Sequence, residues 1–167
     1  GVEVLKLEGR GRSADYVYTV TRCYREAIDA IQQQTYTQEK ARQWKTQLAT
    51  VFNRGFWDGY YLGRTMGEWS NEQGSKADTR KIYIGKGLKY YSKQGIGEFI
   101  CETHSLQEGD QLLITGPTTG VLHMQAEGLH TQGQPATRAA KGDVFTLAVS
   151  RKIRPSDKVY KLVTEPA

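Results

Sequence analysis

Four ionisable side chains occupy alternate positions near the start of the chain: Lys6, Glu8, Arg10 and Arg12. The planar fork of a guanidinium group suits two-point binding of a phosphate or a carboxylate. Lys6 and Glu8 could equally pair with groups on neighbouring strands, because buried charges need partners. The run therefore predicts either a substrate-binding site for an anion or a set of structural ion pairs, and both interpretations stay open.

The rest of the sequence offers no recognisable catalytic set. The three histidines, His104, His123 and His130, have no metal-binding spacing, and no Ser or Cys lies in a nucleophile motif. The two cysteines, Cys23 and Cys101, are far apart, which is typical of a reducing cytoplasm. No apolar run approaches the ~18 residues of a membrane span. We predict a cytoplasmic chain with no membrane association and no catalytic residue, metal ligand or cofactor of its own.

Net charge is +5, and basic residues recur with tyrosines in the second half of the chain. Phosphate contacts combined with stacking rings are typical of an RNA-binding surface. A solvated face on a small β domain is the competing interpretation. The candidate RNA-binding residues are Arg80, Lys81, Lys86, Lys89, Tyr90 and Lys93.

Hydrophobic periodicity divides the chain into two parts. Residues 2–8 alternate as a β-strand, and no strand follows nearby to pair with it, so we interpret it as the last strand of a sheet that precedes this chain. Ser13 is a candidate N-cap for a helix over 15–33, and a second helix is predicted over 38–51. In the first helix, one apolar stripe follows helical spacing: Val17, Val20, Tyr24, Ala27, Ile28 and Ile31. In the second helix, the candidate buried positions are Ala41, Trp44, Leu48 and Val51.

Residues 52–63 contain five aromatics and three glycines. Clustered rings are usually buried, so this block is predicted to join two domains; a recognition surface is the alternative. Residues 64–79 are polar and indicate a linker. The domains are therefore predicted as 1–63, a linker at 64–79, and 80–167.

From Arg80 onward the apolar period changes to two, which favours short strands over 81–84, 97–102, 111–115, 121–126, 144–149 and 158–163. This spacing predicts a small antiparallel β-barrel. Three turns end on Asp110, Asp143 and Asp157, each directly before a strand, and the Asp side chain is expected to bind its own turn. The predicted fold class is α+β.

Two blocks of sequence resemble a known family. Residues 5–13, together with Tyr16-Val17 and residues 24–29, resemble the end of the large domain of the collagenase-like peptidase family, unassigned peptidase family 32. Residues 53–56, with Gly59-Tyr60, resemble the family's next block, and the β region resembles its C-terminal domain, which is similar to domain 2 of elongation factor Tu. The resemblance implies that residues 1–63 complete a TIM-like barrel whose other strands are the partner of this chain.

The same resemblance implies two functions. The first is a non-catalytic C-terminal part of a peptidase-family enzyme that binds and presents a protein substrate. The alternative is an RNA-binding module of a tRNA or rRNA hydroxylation enzyme. Some such relatives hold an iron–sulfur cluster on cysteines of the large domain, and Cys23 and Cys101 match no ligand block of that kind.

Overall fold

The computed structural model describes residues 3–56 and 75–164. These residues form two compact units, a helical unit that ends at Thr79 and a β unit that starts at Arg80. Residues 57–63 of the aromatic block and most of the predicted linker lie outside the described residues. Within the described part of the chain, no helix is long and apolar enough to cross a membrane.

The helical unit contains α1 (Ala14–Gln32) and α2 (Gln38–Ala49), within two residues of the predicted bounds. Thr37 caps α2, since its hydroxyl accepts the Lys40 backbone N–H at 3.2 Å. The expected capping bond from Ser13 is wrong: Ser13 has the extended backbone of an N-cap residue, but its side chain accepts no capping hydrogen bond.

The fully buried residues of α1 lie outside its apolar stripe. The buried residues are Asp15, Thr19, Cys23 and Ala30. Three members of the predicted apolar stripe, Val17, Tyr24 and Ile31, are exposed instead, Ile31 to 62%. A helix buries the face that meets its neighbour, and here α2 packs beside the small-residue face, so these three stripe residues stay uncovered within the described chain.

Burial is also limited in α2, which has no fully buried residue. Of the four predicted positions only Val51, just beyond the helix, is buried. Trp44 is half-buried, and its indole N–H donates to Glu26 Oε2 of α1 at 2.9 Å. Hydrogen bonds from Trp44 to Glu26 and from Arg22 to Gln47 therefore join the two helices.

The predicted first strand has no partner among the described residues, so its pairing with strands that precede this chain stays a prediction. Residues 3–9 form no strand, and Val4, Leu5 and Leu7 are exposed, Val4 to 83%. A strand exists only where its N–H and C=O groups pair with another strand, and no strand of the described chain pairs with these residues.

The β unit contains ten strands. Their bounds are β1 (Thr79–Tyr91), β2 (Ile96–Cys101), β3 (Leu106–Gln107), β4 (Gln111–Gly116), β5 (Gly120–Gln125), β6 (His130–Thr131), β7 (Gln134–Pro135), β8 (Arg138–Ala139), β9 (Val144–Ala148) and β10 (Lys158–Thr164). Eight form one sheet in the order β5-β4-β10-β1-β2-β9-β6-β7, and β3 pairs with β8. Among the described residues, seven pairings are antiparallel with defined register: β1/β2, β2/β9, β3/β8, β4/β5, β4/β10, β6/β7 and β6/β9.

Both sheets enclose one apolar core. Phe99 of β2 and Phe145 of β9 stack in it with ring centroids 5.4 Å apart, and Leu106 and Ala139 of the small sheet belong to the same cluster. The predicted class, α+β with two helices followed by a small antiparallel β-barrel, is confirmed. The long β1 was not predicted, because Gly85 interrupts the apolar alternation; a Cβ there would lie 1.8 Å from the Ile100 carbonyl oxygen.

The prediction that three aspartates bind their own turns is confirmed. Asp110, Asp143 and Asp157 accept the backbone N–H three residues earlier at 2.8, 2.8 and 2.7 Å. The residue before each aspartate has a left-handed backbone conformation. These residues are Gly109, Gly142 and Ser156, with φ of 89°, 95° and 71°. One turn design therefore precedes β4, β9 and β10.

Candidate anion-binding cleft

Arg12 reaches its position through a tight turn. The Arg12 backbone N–H donates to the Gly9 carbonyl at 2.9 Å, and Gly11 inside this turn has a φ of 70°. The turn ends directly before α1, and it directs the Arg12 side chain toward the segment that follows α2.

The Arg12 guanidinium stacks on an aromatic ring there. Its central carbon lies 3.7 Å from the centroid of Phe52 and 5.9 Å from that of Tyr16. Stacking on a ring face leaves the N–H donors at the guanidinium edge free to bind an anion, and it limits the rotamers of the side chain. The arginine is therefore preorganised.

The stacked arginine lines a cavity of about 370 Å³ in the helical unit. Arg54 lines the same cavity, and Tyr24, Leu48 and Phe56 contribute apolar walls. Among the described residues, no Asp or Glu lines it. In the described residues neither Arg12 nor Arg54 has an ion-pair partner, so the cleft carries uncompensated positive charge.

Asn53 fixes the loop that carries Arg54. Its side-chain amide donates to the carbonyls of Ala49 and Val51 at 3.2 and 3.0 Å, and these belong to the C-terminal end of α2 and the residues after it. Its Oδ1 accepts the Gly55 N–H at 3.1 Å. One asparagine thus satisfies backbone carbonyls after the last turn of the helix and sets the direction of the chain through Arg54.

The remaining residues of the first predicted site do not join the cleft. Lys6 and Arg10 are exposed and do not line the cavity, while Glu8 Oε1 accepts the Arg10 backbone N–H at 2.7 Å. Glu8 therefore has a local structural role in this chain. Arg12 is the member of the predicted quartet that the described structure places in a cavity.

On the β unit, the predicted basic surface contains its own carboxylates. Lys86 Nζ lies 2.7 Å from Glu102 Oε1, and the Tyr83 hydroxyl donates to Glu102 Oε2 at 2.6 Å. That hydrogen bond raises the pKa of Tyr83 to about 12. The hydrogen bonds from Lys86 and Tyr83 hold the pKa of Glu102 below its usual value. Much of the charge of Lys86 is therefore compensated.

The other five predicted RNA-binding residues are in mixed environments. Tyr90 packs against the core, and its hydroxyl donates to the Val149 carbonyl at 3.3 Å. Lys89 lies over the Tyr91 ring at 4.7 Å, and Lys93 is exposed. Arg80 and Lys81 are exposed, and each has an interaction partner. Lys89 and Lys93 are the most accessible cations of the set.

The cysteines are poor candidates for reactive groups or cluster ligands. Burial raises the pKa of the Cys23 and Cys101 thiols, so both stay protonated at neutral pH. The two cysteines belong to different units, and within residues 3–56 and 75–164 no three His, Cys, Asp or Glu residues are grouped as metal ligands. The described residues do not fit the cysteine ligation of an iron–sulfur cluster.

Sequence reasoning missed Phe52 and Arg54 as members of the cleft. Both belong to the aromatic and glycine-rich block that was predicted to join two domains. The pattern Asn-Arg-Gly, with an arginine between a capping asparagine and a glycine, was the available signal. The contact with Arg12 could not be read from sequence, because it depends on how α1 and α2 pack.

Comparison with known proteins gives consistent matches. Residues 1–71 match the model of Peptidase family U32. The chain is 52% identical over 161 residues to a protein named collagenase from Porphyromonas gingivalis, covering 96% of this chain but 39% of that protein. It is 28% identical over 144 residues to tRNA hydroxylation protein P of Haemophilus influenzae, covering 86% of this chain and 30% of that protein.

The crystal structure of the C-terminal domain of a Geobacillus thermoleovorans protein described as a U32 peptidase aligns with a TM-score of 0.45 at 20% identity. The alignment covers 48% of this chain and 91% of that one. The chain spans about two fifths of the length of the P. gingivalis collagenases. On the sequence matches, the chain belongs to peptidase family U32.

Proposed function

We propose that this chain is the non-catalytic, substrate-binding part of a longer U32 protein. The observation that carries this proposal is the cleft in which Arg12 stacks on Phe52 beside Arg54, with no carboxylate among the described residues that line it. A preorganised guanidinium that lacks a protein partner is a receptor for a carboxylate or a phosphate. The buried, protonated thiols of Cys23 and Cys101 are poor nucleophiles, which is consistent with a part of the protein that binds substrate without catalysing its reaction.

The partner of the chain is the remainder of the U32 protein, with a TIM-like barrel. Val4, Leu5 and Leu7 would pair and pack within that barrel, and Val17, Tyr24 and Ile31 of α1 would lie against it. The length of the relatives supports this arrangement, since the matched P. gingivalis collagenases are more than twice as long as the region they share with this chain.

The ligand proposed for the cleft is a carboxylate of a polypeptide, either an acidic side chain or a chain end. The apolar walls formed by Tyr24, Leu48 and Phe56 suit the neighbouring side chains of such a peptide. The relatives named collagenase make denatured collagen the first probe to use.

The test is binding of the chain to immobilised gelatin, with two arginine variants compared. Arg12→Gln removes the stacked charge and is expected to weaken binding about tenfold or more, because a charge-assisted contact is lost. Arg10→Gln removes the same charge from an exposed side chain outside the cavity and should change binding less than twofold. Equal effects of the two variants, or no binding of the unmodified chain, would contradict the proposal.

A second measurement tests the non-catalytic part of the proposal. The chain is incubated with gelatin, and the products are separated by size. We expect no cleavage. Cleavage at a rate that a single substitution in the chain abolishes would show that the catalytic groups lie within it.

A second candidate function is binding of structured RNA on behalf of a hydroxylation enzyme. The match to tRNA hydroxylation protein P over 86% of the chain favours it, as do the exposed cations Lys89 and Lys93 of the β unit. In a mobility-shift titration with bulk tRNA, the Lys89→Gln/Lys93→Gln variant should bind more weakly, and salt should weaken binding of the parent chain. No shift at low salt would remove this candidate.

A further inference from the structure

We propose that the β unit holds a second anion site, separate from the helical cleft, that binds a phosphate group. A cavity of about 430 Å³ lies where β1, β8, β10 and two loops meet. Its lining consists of Ile82, His104, Ser105, Arg138, Lys141 and Lys161. Three of these six residues are permanent cations, and none is a carboxylate.

The three cations come from separate elements. Arg138 lies on β8, Lys141 in the turn before β9, and Lys161 on β10. Arg138 and Lys141 are three residues apart, and Lys161 joins them from a distant strand. Like charges that converge on one cavity repel one another, which costs free energy in the unoccupied state. A bound anion removes that cost, so the convergence itself favours an anionic ligand.

The turn that carries Lys141 is held from both ends. Asp143 Oδ2 accepts the Ala140 N–H at 2.8 Å, and the Gly142 N–H donates to the Cys101 carbonyl at 2.7 Å. The Cys101 N–H in turn donates to the Asp143 carbonyl at 2.9 Å. Lys141 therefore projects from a fixed backbone, and this lowers the entropy lost when it binds a ligand.

One of the three charges is already compensated. Lys161 Nζ lies 2.8 Å from Asp110 Oδ1, and Asp110 does not line the cavity. Arg138 and Lys141 are exposed, and among the described residues neither has an ion-pair partner. The cavity thus presents a net positive charge from two unpaired cations, with a third cation held in place by its carboxylate.

The loop beside the cations is also fixed, in an unusual conformation. His104 has a φ of 50°, which is costly for a residue with a Cβ, and such positions cluster at ligand sites. The Ile84 carbonyl accepts the N–H groups of both Glu102 and Thr103, at 2.8 and 2.9 Å, directly before it. The Ser105 hydroxyl and the His104 ring add hydrogen-bonding groups to the cationic wall.

A phosphate group fits this donor set better than a carboxylate does. It offers oxygens in several directions, which suits donors that approach from three elements, whereas a carboxylate offers two oxygens in one plane. Arginine binds phosphate through its fork and lysine as a point charge, so the pair Arg138 and Lys141 is complementary to it. The phosphate could belong to a small molecule or to a nucleic-acid strand.

The test is a titration of the isotope-labelled chain followed by NMR, first with inorganic phosphate and then with a short single-stranded RNA. We expect saturable shifts of the amides of His104, Ser105 and Lys141 with phosphate. In Arg138→Gln/Lys141→Gln the affinity should fall about tenfold or more. The matched control is Lys152→Gln/Lys158→Gln, which removes the same charge from exposed residues outside the cavity and should change affinity less than twofold.

The titration with RNA shows whether the bound phosphate group belongs to a nucleic-acid strand or to a small molecule. RNA that shifts the same amides and is displaced by inorganic phosphate shows that a strand is a ligand, while phosphate binding without an RNA response shows that a small phosphorylated molecule is. Absence of saturable shifts with both probes would overturn the proposal. So would equal losses in the two double variants, once unchanged thermal melting shows that both are folded.

Discussion

The helical unit and the β unit differ in how completely they bury their own apolar residues. Seventeen of the twenty buried apolar residues in the described chain belong to the β unit, and fifteen of them form one cluster. Nine of the ten large apolar residues that are exposed belong to the helical unit. Most large apolar residues are therefore buried in the β unit, whereas many are exposed in the helical unit.

The difference indicates that the two units obtain stability from different sources. The β unit has a core comparable to that of an independent small domain, whereas the helices meet through small and polar side chains. Exposed apolar patches of this kind mark interaction surfaces. The apolar stripe of α1 and the exposed residues Val4, Leu5 and Leu7 are thus consistent with the proposed contact with a larger barrel.

The largest expected effect is the loss of a core ring in the β unit. Phe99→Ala should lower the free energy of unfolding of this unit by about 3–5 kcal/mol, because it leaves a cavity beside Phe145. Val144→Ala, at an exposed position on the adjacent strand, should cost less than about 0.5 kcal/mol. Urea denaturation followed by circular dichroism measures both, and comparable losses would mean that the core is not the source of stability.

A smaller effect is expected from the buried member of the three similar turns. Asp157 is buried, and besides the Arg154 N–H it accepts the hydroxyl of Thr119. Asp157→Ala removes the partner of the buried Thr119 hydroxyl and of the part-buried Arg154 N–H, and it should cost about 2–4 kcal/mol. Asp143→Ala, in the more open turn, should cost about 1 kcal/mol in the same denaturation experiment. Equal costs would show that burial of the carboxylate is irrelevant.

The residue before the aspartate allows a finer comparison of the same turns. Gly142→Ala places a Cβ at φ 95° with no atom nearby to clash, so its expected cost of about 1–2 kcal/mol is backbone strain alone. Ser156→Gly relieves that strain at φ 71° and should be neutral or stabilise by up to about 0.5 kcal/mol, since glycine also raises the entropy of the unfolded chain. Destabilisation by Ser156→Gly would contradict the shared design.

The smallest effect concerns one tyrosine on the β surface. Because the raised pKa of Tyr83 depends first on its hydrogen bond to Glu102, Glu102→Gln should lower the Tyr83 pKa from about 12 toward its ordinary value of 10.0. The stabilising contribution is present below pH 10 and is lost as pH rises through about 12. NMR titration of the tyrosine ring carbons measures the shift, and an unchanged Tyr83 pKa in the variant would contradict the assigned cause.

Sequence periodicity predicted most of the β unit and little of the helical packing. In the β unit, alternation at Phe145 and Leu147 corresponds to burial because the strands pair within the chain. In α1 the apolar stripe with Val17 and Ile31 was correctly read as apolar, yet the residues that would cover it are not among those described. The two-residue strands β3, β6, β7 and β8 were missed, since a period of two needs more residues to be visible.

The candidate site was partly predictable for a similar reason. Arg12 was predicted because it belongs to a local run of charged side chains at alternate positions. Phe52 and Arg54 joined it through the packing of α1 and α2, which no local pattern encodes. The phosphate cavity was missed because Arg138 and Lys141 meet Lys161 only after β8 and β10 have found their places in the fold.

The most direct test of the difference between the two units is amide hydrogen exchange of the chain, followed by mass spectrometry with peptide resolution. We predict that peptides from β2, β4 and β9 exchange only by global unfolding of the β unit. Peptides from α1 and α2 should exchange at least about 100-fold faster, because local opening of the helices exposes little buried apolar surface. Helical protection equal to that of the central strands would contradict the account.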